Sequence, residues 1–197
     1  MDETLLKKRA FQAMKTDPRN GSAEAAPDSR SFDDLFLEHW SPIYRLLVRM
    51  TGDPAEAEDL ALETFFRLYR QPPRPGAGYN PGGWLYRVAT NLGLRSIRSF
   101  KRREQYEMVA GKGALEELSE DRPAVILEKK EQHILARQAL ARMDPRRAEL
   151  LALRYSGMSY KDIAKSLGLS PTSIGPLLLR AEREFEKVYR ALDPEEV

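Results

Sequence analysis

Between Trp84 and Arg103 the chain carries six bases (Arg87, Arg95, Arg98, Lys101, Arg102 and Arg103) and no acid. Guanidinium and ammonium groups at this density neutralise phosphates. The rings beside them, Trp84, Tyr86 and Tyr79, offer faces on which unpaired bases can stack. A charge run is more often a solvated helix face, and Trp84 and Tyr86 have a core reading as an alternative, which is the stronger one for Trp84 only. The complete lack of acid turns the reading to nucleic acid. A second group is the reverse: from Asp33 to Glu63 there are eight acids against two arginines. From Glu104 to Lys130 acid is again in excess, seven against four. Alternating blocks on a chain of net charge +2 predict several different partner surfaces.

Other chemistry is excluded or thinly supplied. There is no cysteine, which rules out disulfides and thiolate metal sites and fits a cytoplasmic chain. The two histidines, His39 and His133, are far apart in sequence. No paired carboxylates, phosphate-cradling glycine loop or nucleophile–base pair stands out, so the chain reads as a non-enzyme without cofactor or metal. No apolar run approaches the roughly 18 residues that span a bilayer. The opening MDETLLKKRA lacks the apolar core of a secretory signal.

The elements that must position these groups are helical. Residues 1–30 end in GSAEAAPDSR and read as a mobile tail. Phe32, Leu35, Phe36, Trp40, Ile43, Tyr44, Leu47 and Met50 recur at three- and four-residue steps, the stripe of a packed helix. Pro42 is expected to kink or divide that helix, with Ser41 as a cap. Asp53-Pro54 opens a second helix to about Arg70, with Ala57, Leu60, Ala61, Phe65 and Leu68 inward. The run QPPRPGAGYNPGG breaks it. A third helix is predicted from near Trp84 to about Arg103, with Leu85, Val88, Ala89, Leu92 and Ile97 on its apolar side. Residues 104–127 lack a sustained period and read as a linker, after which Ile134, Leu135, Ala139, Leu140 and Met143 restore a helical face.

The sharpest local pattern lies in residues 144–190. Asp144-Pro145 opens a helix ending near Tyr155, and Ser156-Gly157-Met158 turns. Ser159 with Asp162 forms a near capping box, and Gly168 supplies a left-handed stop. Ser170-Pro171 caps and opens another helix. Two short helices about a glycine turn make a helix-turn-helix, whose second member enters a DNA groove. A generic small bundle uses the same caps.

These residues resemble the sigma-70 family of bacterial RNA polymerase sigma factors, within it the extracytoplasmic-function (ECF) group. GDPAEAEDLALETFFRLYR resembles that group's second conserved region, WLYRVATNLGLRSIRSFKRR its WLYRIA-x-N-x-x-x-D-x-x-R segment, and ALARMDPRRAELLALRYSGMSYKDIAKSLGLS its fourth region. The resemblance implies an all-α chain of two small helical domains joined by a flexible linker. A tail would occupy 1–30, a region 2-like domain 31–103, a linker 104–130 and a region 4-like helix-turn-helix domain 131–192. It further implies core RNA polymerase, promoter DNA and an anti-sigma factor as partners, without membrane insertion. The polymerase would meet Asp59, Leu62, Glu63 and Phe66, with Leu62 standing where the family usually has glutamine. The promoter's minus-ten element would meet Tyr79, Asn80, Arg87, Asn91, Arg95, Arg98, Lys101, Arg102 and Arg103. Candidates for the minus-thirty-five element are Tyr160, Lys161, Thr172, Ser173, Arg180 and Arg183.

The recognition helix departs furthest from the family. Gly175, Pro176 and Leu177 stand where a Lys or Arg, a Ser and an Arg are usual, and glycine and proline cannot reach a base edge. Pro176 is expected to disturb the helix start, and Leu177 to Leu179 to pack on the bundle or on a protein. A sigma-like decoy that sequesters an anti-sigma protein is therefore a second reading, favoured by this helix and opposed by the intact basic one. A dimeric helix-turn-helix regulator is a third, and it leaves the acidic and basic helices without a task.

Overall fold

The structure, a computed structural model, describes residues 31–73, 80–109 and 124–193, with side chains omitted over 100–109 and 124–130. The first helix, α1 (Phe32–Thr51), starts where the Ser31 hydroxyl accepts from the Asp34 amide, and stops at Gly52, whose φ of 73° needs no Cβ penalty. Pro42 does not divide it. Proline there removes only the amide that would bond to the Glu38 carbonyl, while Trp40 and Ile43 on either side are fully buried. Helix α2 (Pro54–Arg70) begins as expected, with the Asp53 carboxylate accepting from the amides of Ala55 and Glu56.

Helix α3 (Pro81–Val109) starts three residues before the expected Trp84. Asn80 explains the shift: its side-chain oxygen accepts from the Gly83 amide and its carbonyl from the Trp84 amide, with Pro81 in the first helical position that proline favours. The helix also outruns its expected end, and α4 (Ala124–Arg142) begins inside the stretch read as linker. Glu104 to Val109 and Ala124 to Lys130 contain no glycine or proline, so nothing local stops either helix. The central part of the proposed linker, residues 110–123, lies outside the described residues, as do the tail 1–30 and Tyr79.

Helices α5 (Pro145–Tyr155), α6 (Tyr160–Leu167) and α7 (Pro171–Arg190) follow the predicted boundaries closely. Asp144 caps α5, Ser159 caps α6, and Gly168 ends α6 at φ 67°. Ser170 does not cap α7 through its side chain. Its hydroxyl is bonded instead to the Thr172 hydroxyl, 2.8 Å away. Pro176 sits inside α7 without moving its start, because Pro171 already sets the first turn.

Two apolar clusters organise the described helices. One joins α1, α2 and the start of α3 around Phe36, Trp40 and Phe65, whose ring centroids lie 4.9–5.7 Å apart, a spacing that favours offset and tilted rings. The other is built from α5, α6 and α7 and also includes Leu46 and Met50 of α1 and Leu94 and Ile97 of α3. The second cluster therefore fastens the C-terminal helices onto the flank of the basic helix. The Arg137 guanidinium of α4 adds a polar tie, donating to the Thr51 carbonyl at the end of α1.

Candidate nucleic-acid interface

Helix α3 buries Leu85, Ala89, Leu92, Leu94 and Ile97, which fixes where its bases can point. Arg87 and Arg95 are exposed, while Asn91 and Arg98 are half-buried. Arg87, Asn91, Arg95 and Arg98 follow at steps of four, four and three, so they share one stripe. Lys101, Arg102 and Arg103 continue the same helix with no side chains described. Trp84 and Tyr86 are half-buried and pack on the apolar clusters, in line with the core alternative for both. Burial raises the Tyr86 hydroxyl above its ordinary pKa, with Arg45 and Arg49 pulling the other way and Glu38 adding to the rise.

A residue that no motif or spacing pointed to sits against this stripe. Glu149 of α5 accepts from the Asn91 side-chain amide at 2.9 Å and lies 3.5 Å from Arg87 Nε through the same oxygen. Its side chain is only 12% exposed, against 51% for Arg87. Two donors from successive turns of α3 therefore converge on one carboxylate oxygen. Glu149 is the lone acid in DPRRAELL after the capping Asp144, and no spacing rule singles it out.

Helix α6 lies against the start of α3. A cleft of about 440 Å³ opens between them, lined by His39, Asn80, Gly83, Tyr86, Asp162 and Lys165 among others. A Cβ on Gly83 would stand 3.1 Å from the Ser166 Cβ, so the two backbones approach closely. Of the predicted minus-ten residues, Arg87 and Asn91 are brought together on Glu149, while Asn80 stands apart in the cleft beside α6; both places lie along a border that the C-terminal helices partly cover.

The acidic face lies on α2. Asp59, Leu62, Glu63 and Phe66 fall at steps of three, one and three, one side of a helix. Asp59 is exposed and the other three half-buried. Leu62 is less open than an isolated apolar residue among acids suggests, because it packs against the N-terminal cluster. Glu63 accepts from Arg67 Nε at 2.7 Å, and Arg70 lies 5.4 Å over the Phe66 ring. The acid of this face is accordingly tempered by two arginines near its C-terminal end.

In the helix-turn-helix, α7 buries Ile174, Leu178 and Ala181. Thr172, Pro176, Leu179, Arg180 and Arg183 are exposed, Ser173 half-buried. Leu177 packs against the C-terminal cluster, whereas Leu179 is 49% exposed, so the leucines predicted to pack divide between core and solvent. Tyr160 and Lys161 at the start of α6 are exposed, and the Arg154 guanidinium lies 5.3 Å over the Tyr160 ring. Among the described residues no group of three His, Cys, Asp or Glu could hold a metal ion, and no helix is long and apolar enough to cross a membrane.

Comparison with known proteins agrees with these elements. Residues 35–104 match the family pattern of sigma-70 region 2, and residues 133–185 that of sigma-70 region 4. The chain is 30% identical over 173 residues to the ECF RNA polymerase sigma factor SigL of Mycobacterium tuberculosis, covering 87% of this chain and 96% of that one. It is 31% identical over 168 residues to the ECF RNA polymerase sigma factor SigE of Mycolicibacterium smegmatis, spanning 79% of this chain and 60% of SigE. It is also 29% identical to the RNA polymerase sigma-H factor of Pseudomonas aeruginosa, covering 85% and 89%. Among solved structures, CnrH in complex with the cytosolic domain of CnrY is similar in fold, with a TM-score of 0.50, 18% identity and coverage of 94% and 97%.

Proposed function

The chain belongs to the ECF group of the sigma-70 family, factors that direct RNA polymerase to promoters, and from that premise we propose how its surfaces divide the task. The outer face of α2, with Asp59, Leu62, Glu63 and Phe66, docks on core polymerase. The stripe of α3, with Asn80 at its start and Tyr79 next to it in sequence, engages the minus-ten element and helps open the duplex. Helix α7, with Tyr160 and Lys161 of α6 beside it, meets the upstream element. No bond is made or broken by this chain itself. The covalent steps belong to the polymerase.

The observation that carries this reading is the grip of Arg87 and Asn91 on one oxygen of Glu149. A cation and an amide placed one turn apart hold an anionic oxygen, which is what a promoter phosphate presents. In the free chain that place is taken by an acid of its own C-terminal half. The C-terminal helices must therefore leave α3 before Arg87 and Asn91 can meet a phosphate, and the factor acts by opening on the polymerase. An anti-sigma factor, the inhibitory partner that the family resemblance implies, fits the same logic if it holds the closed form.

The test mixes the purified chain with bacterial core polymerase and a library of promoter fragments, then sequences the run-off transcripts. Transcripts sharing an upstream motif are expected. Asp59→Lys combined with Glu63→Lys is expected to abolish co-purification with core polymerase while leaving the helical content unchanged. Unaltered co-purification would sink the docking face on α2. Polymerase binding without any transcript would point to an incomplete system that needs an activator, and no polymerase binding at all would favour the decoy reading.

A further inference from the structure

Helix α7 presents an unusual outer edge for a helix that meets DNA. With Ile174, Leu178 and Ala181 buried, the side facing away from the core runs Thr172, Pro176, Leu179, Arg183 at steps of four, three and four. Before Arg180 that edge holds no cation and no amide. The single hydroxyl on it, that of Thr172, shares a hydrogen bond with Ser170 at 2.8 Å and so has one bond fewer to offer a base, while the threonine methyl is open to apolar contact. Gly175 beside it adds no side chain, and a Cβ there would only just reach the Tyr160 ring, 3.8 Å away.

The surroundings suit DNA. No acid occurs between Asp162 and Glu182, an interval that holds Lys165 and Arg180. Lys161, Arg154 and Arg180 are exposed, Arg154 lying over the Tyr160 ring that stands beside Gly175, and the positive end of the α7 dipole lies at Pro171. Phosphates are attracted here without sequence preference. Sequence must then be read by what the edge can touch. In the major groove only thymine offers an apolar group, its C5 methyl; the other bases present donors and acceptors that a ring or a leucine leaves unpaired.

We propose that α7 selects a thymine-bearing upstream element by apolar contact of Thr172, Pro176 and Leu179 with thymine methyl groups, in place of guanine readout by a cationic side chain. This rests on the proposal that α7 meets the upstream duplex.

The experiment enriches promoter fragments with a randomised upstream segment on the holoenzyme formed from the full chain and core polymerase. The preferred segment is then resynthesised with deoxyuridine for thymidine, which removes the methyl and nothing else. Enrichment of thymines is expected, with holoenzyme affinity falling about threefold to fourfold per contacted methyl on deoxyuridine substitution, the order set by burying one methyl group. Leu179→Ala keeps a strong helix former at an exposed position and is expected to lose the deoxyuridine sensitivity at the thymine that Leu179 contacts, while the thymines met by Thr172 and Pro176 keep theirs. A guanine-rich preference, or an affinity indifferent to deoxyuridine, overturns the inference and leaves the sigma-factor reading standing. Loss of core polymerase binding in Leu179→Ala also overturns it, by making the edge a protein surface. Failure of the wild-type holoenzyme to bind any promoter takes down the reading of α7 as a DNA element, and the inference with it.

Discussion

Helices α3 and α7 face the same duplex in our proposal, and they are equipped in opposite ways. Along α3, Arg87, Asn91, Arg95 and Arg98 form a stripe of donors, yet two of them are already engaged by Glu149 and the flank is covered by α5 and α6. Along α7 the outer edge is open to solvent, yet it holds no cation until Arg180. One helix has strong contacts withheld from the ligand, and the other has weak contacts freely offered. Most of the promoter affinity should then come from α3 and should depend on uncovering it, while α7 adjusts which promoters are preferred. The difference also separates two kinds of information: α3 is gated by the chain's own fold, whereas α7 is limited by its sequence.

The comparison breaks if α3 need not be uncovered. The chain has no cysteine, and the Gly83 and Ser166 Cβ positions lie 3.1 Å apart, short of the roughly 3.5–4.5 Å between disulfide-bonded Cβ atoms, a gap that a few tenths of an ångström of separation between α3 and α6 makes good. Gly83→Cys with Ser166→Cys is therefore expected to oxidise readily in the free chain. The Asn80 amide must swing aside to admit the new side chain, so the reduced double variant serves as the reference. Run-off transcription should fall to background on oxidation and return with dithiothreitol. Full transcription from the oxidised form would mean that α3 works while covered.

Next in size is the loss of the donors themselves. Arg87→Gln with Arg95→Glu removes one cation and places repulsion where a second phosphate should sit; both side chains are exposed and the glutamine can still donate to Glu149, so the fold should survive. Promoter-specific transcription is expected to drop roughly a hundredfold, as removing one phosphate contact and reversing another does. Co-purification with core polymerase should not change. An equal loss of polymerase binding would place α3 on the wrong partner.

Much of this was legible in the sequence. The caps Asp53, Asp144 and Ser159 and the stop Gly168 fixed helix ends because each satisfies orphan backbone groups locally, without help from distant residues. The basic stripe was legible as well, because helical periodicity alone brings Arg87, Asn91, Arg95 and Arg98 to one side. Glu149 was not. Its place against Asn91, 58 positions away, is set by how Leu94 and Ile97 pack with Leu150 and Leu151, and no local rule carries that information. Pro42 misled for a related reason: proline's helix-breaking cost is local, but the burial of Trp40 and Ile43 that outweighs it is tertiary.

A smaller change sharpens the α7 side. Pro176→Arg supplies a cation on the exposed edge and restores the amide that the Thr172 carbonyl lacks within the helix. The variant should melt higher, by about 1–3 kcal/mol of stability given proline's cost inside a helix. Its enriched upstream elements should gain guanine. A gain in stability without any change in preference would mean that position 176 does not touch the bases.

The smallest effect concerns what holds α7 in place. Glu184, in the second half of α7, accepts from the Asp144 amide at 2.9 Å and from the Arg147 guanidinium, tying α7 to the start of α5. The Asp144 amide hydrogen bond is the main cause that lowers the Glu184 pKa, with Arg147 adding to it and burial and the Asp144 charge opposing. A carboxylate with a lowered folded-state pKa stabilises the fold above its unfolded value, and that stability is lost as pH falls through the lowered one. Glu184→Gln should therefore cost about 0.5–1 kcal/mol near neutral pH, a value kept small by solvent screening at this surface. The gap between variant and wild type should close as pH drops below the ordinary carboxylate range. Because Glu184 touches α5 and not α3, minus-ten engagement should be unaffected while upstream affinity weakens slightly. Parallel melts of both proteins across acid pH, with binding measured on promoters carrying or lacking the upstream element, check both halves of that expectation. A gap that persists unchanged into acid would assign the effect to packing and not to the carboxylate's charge.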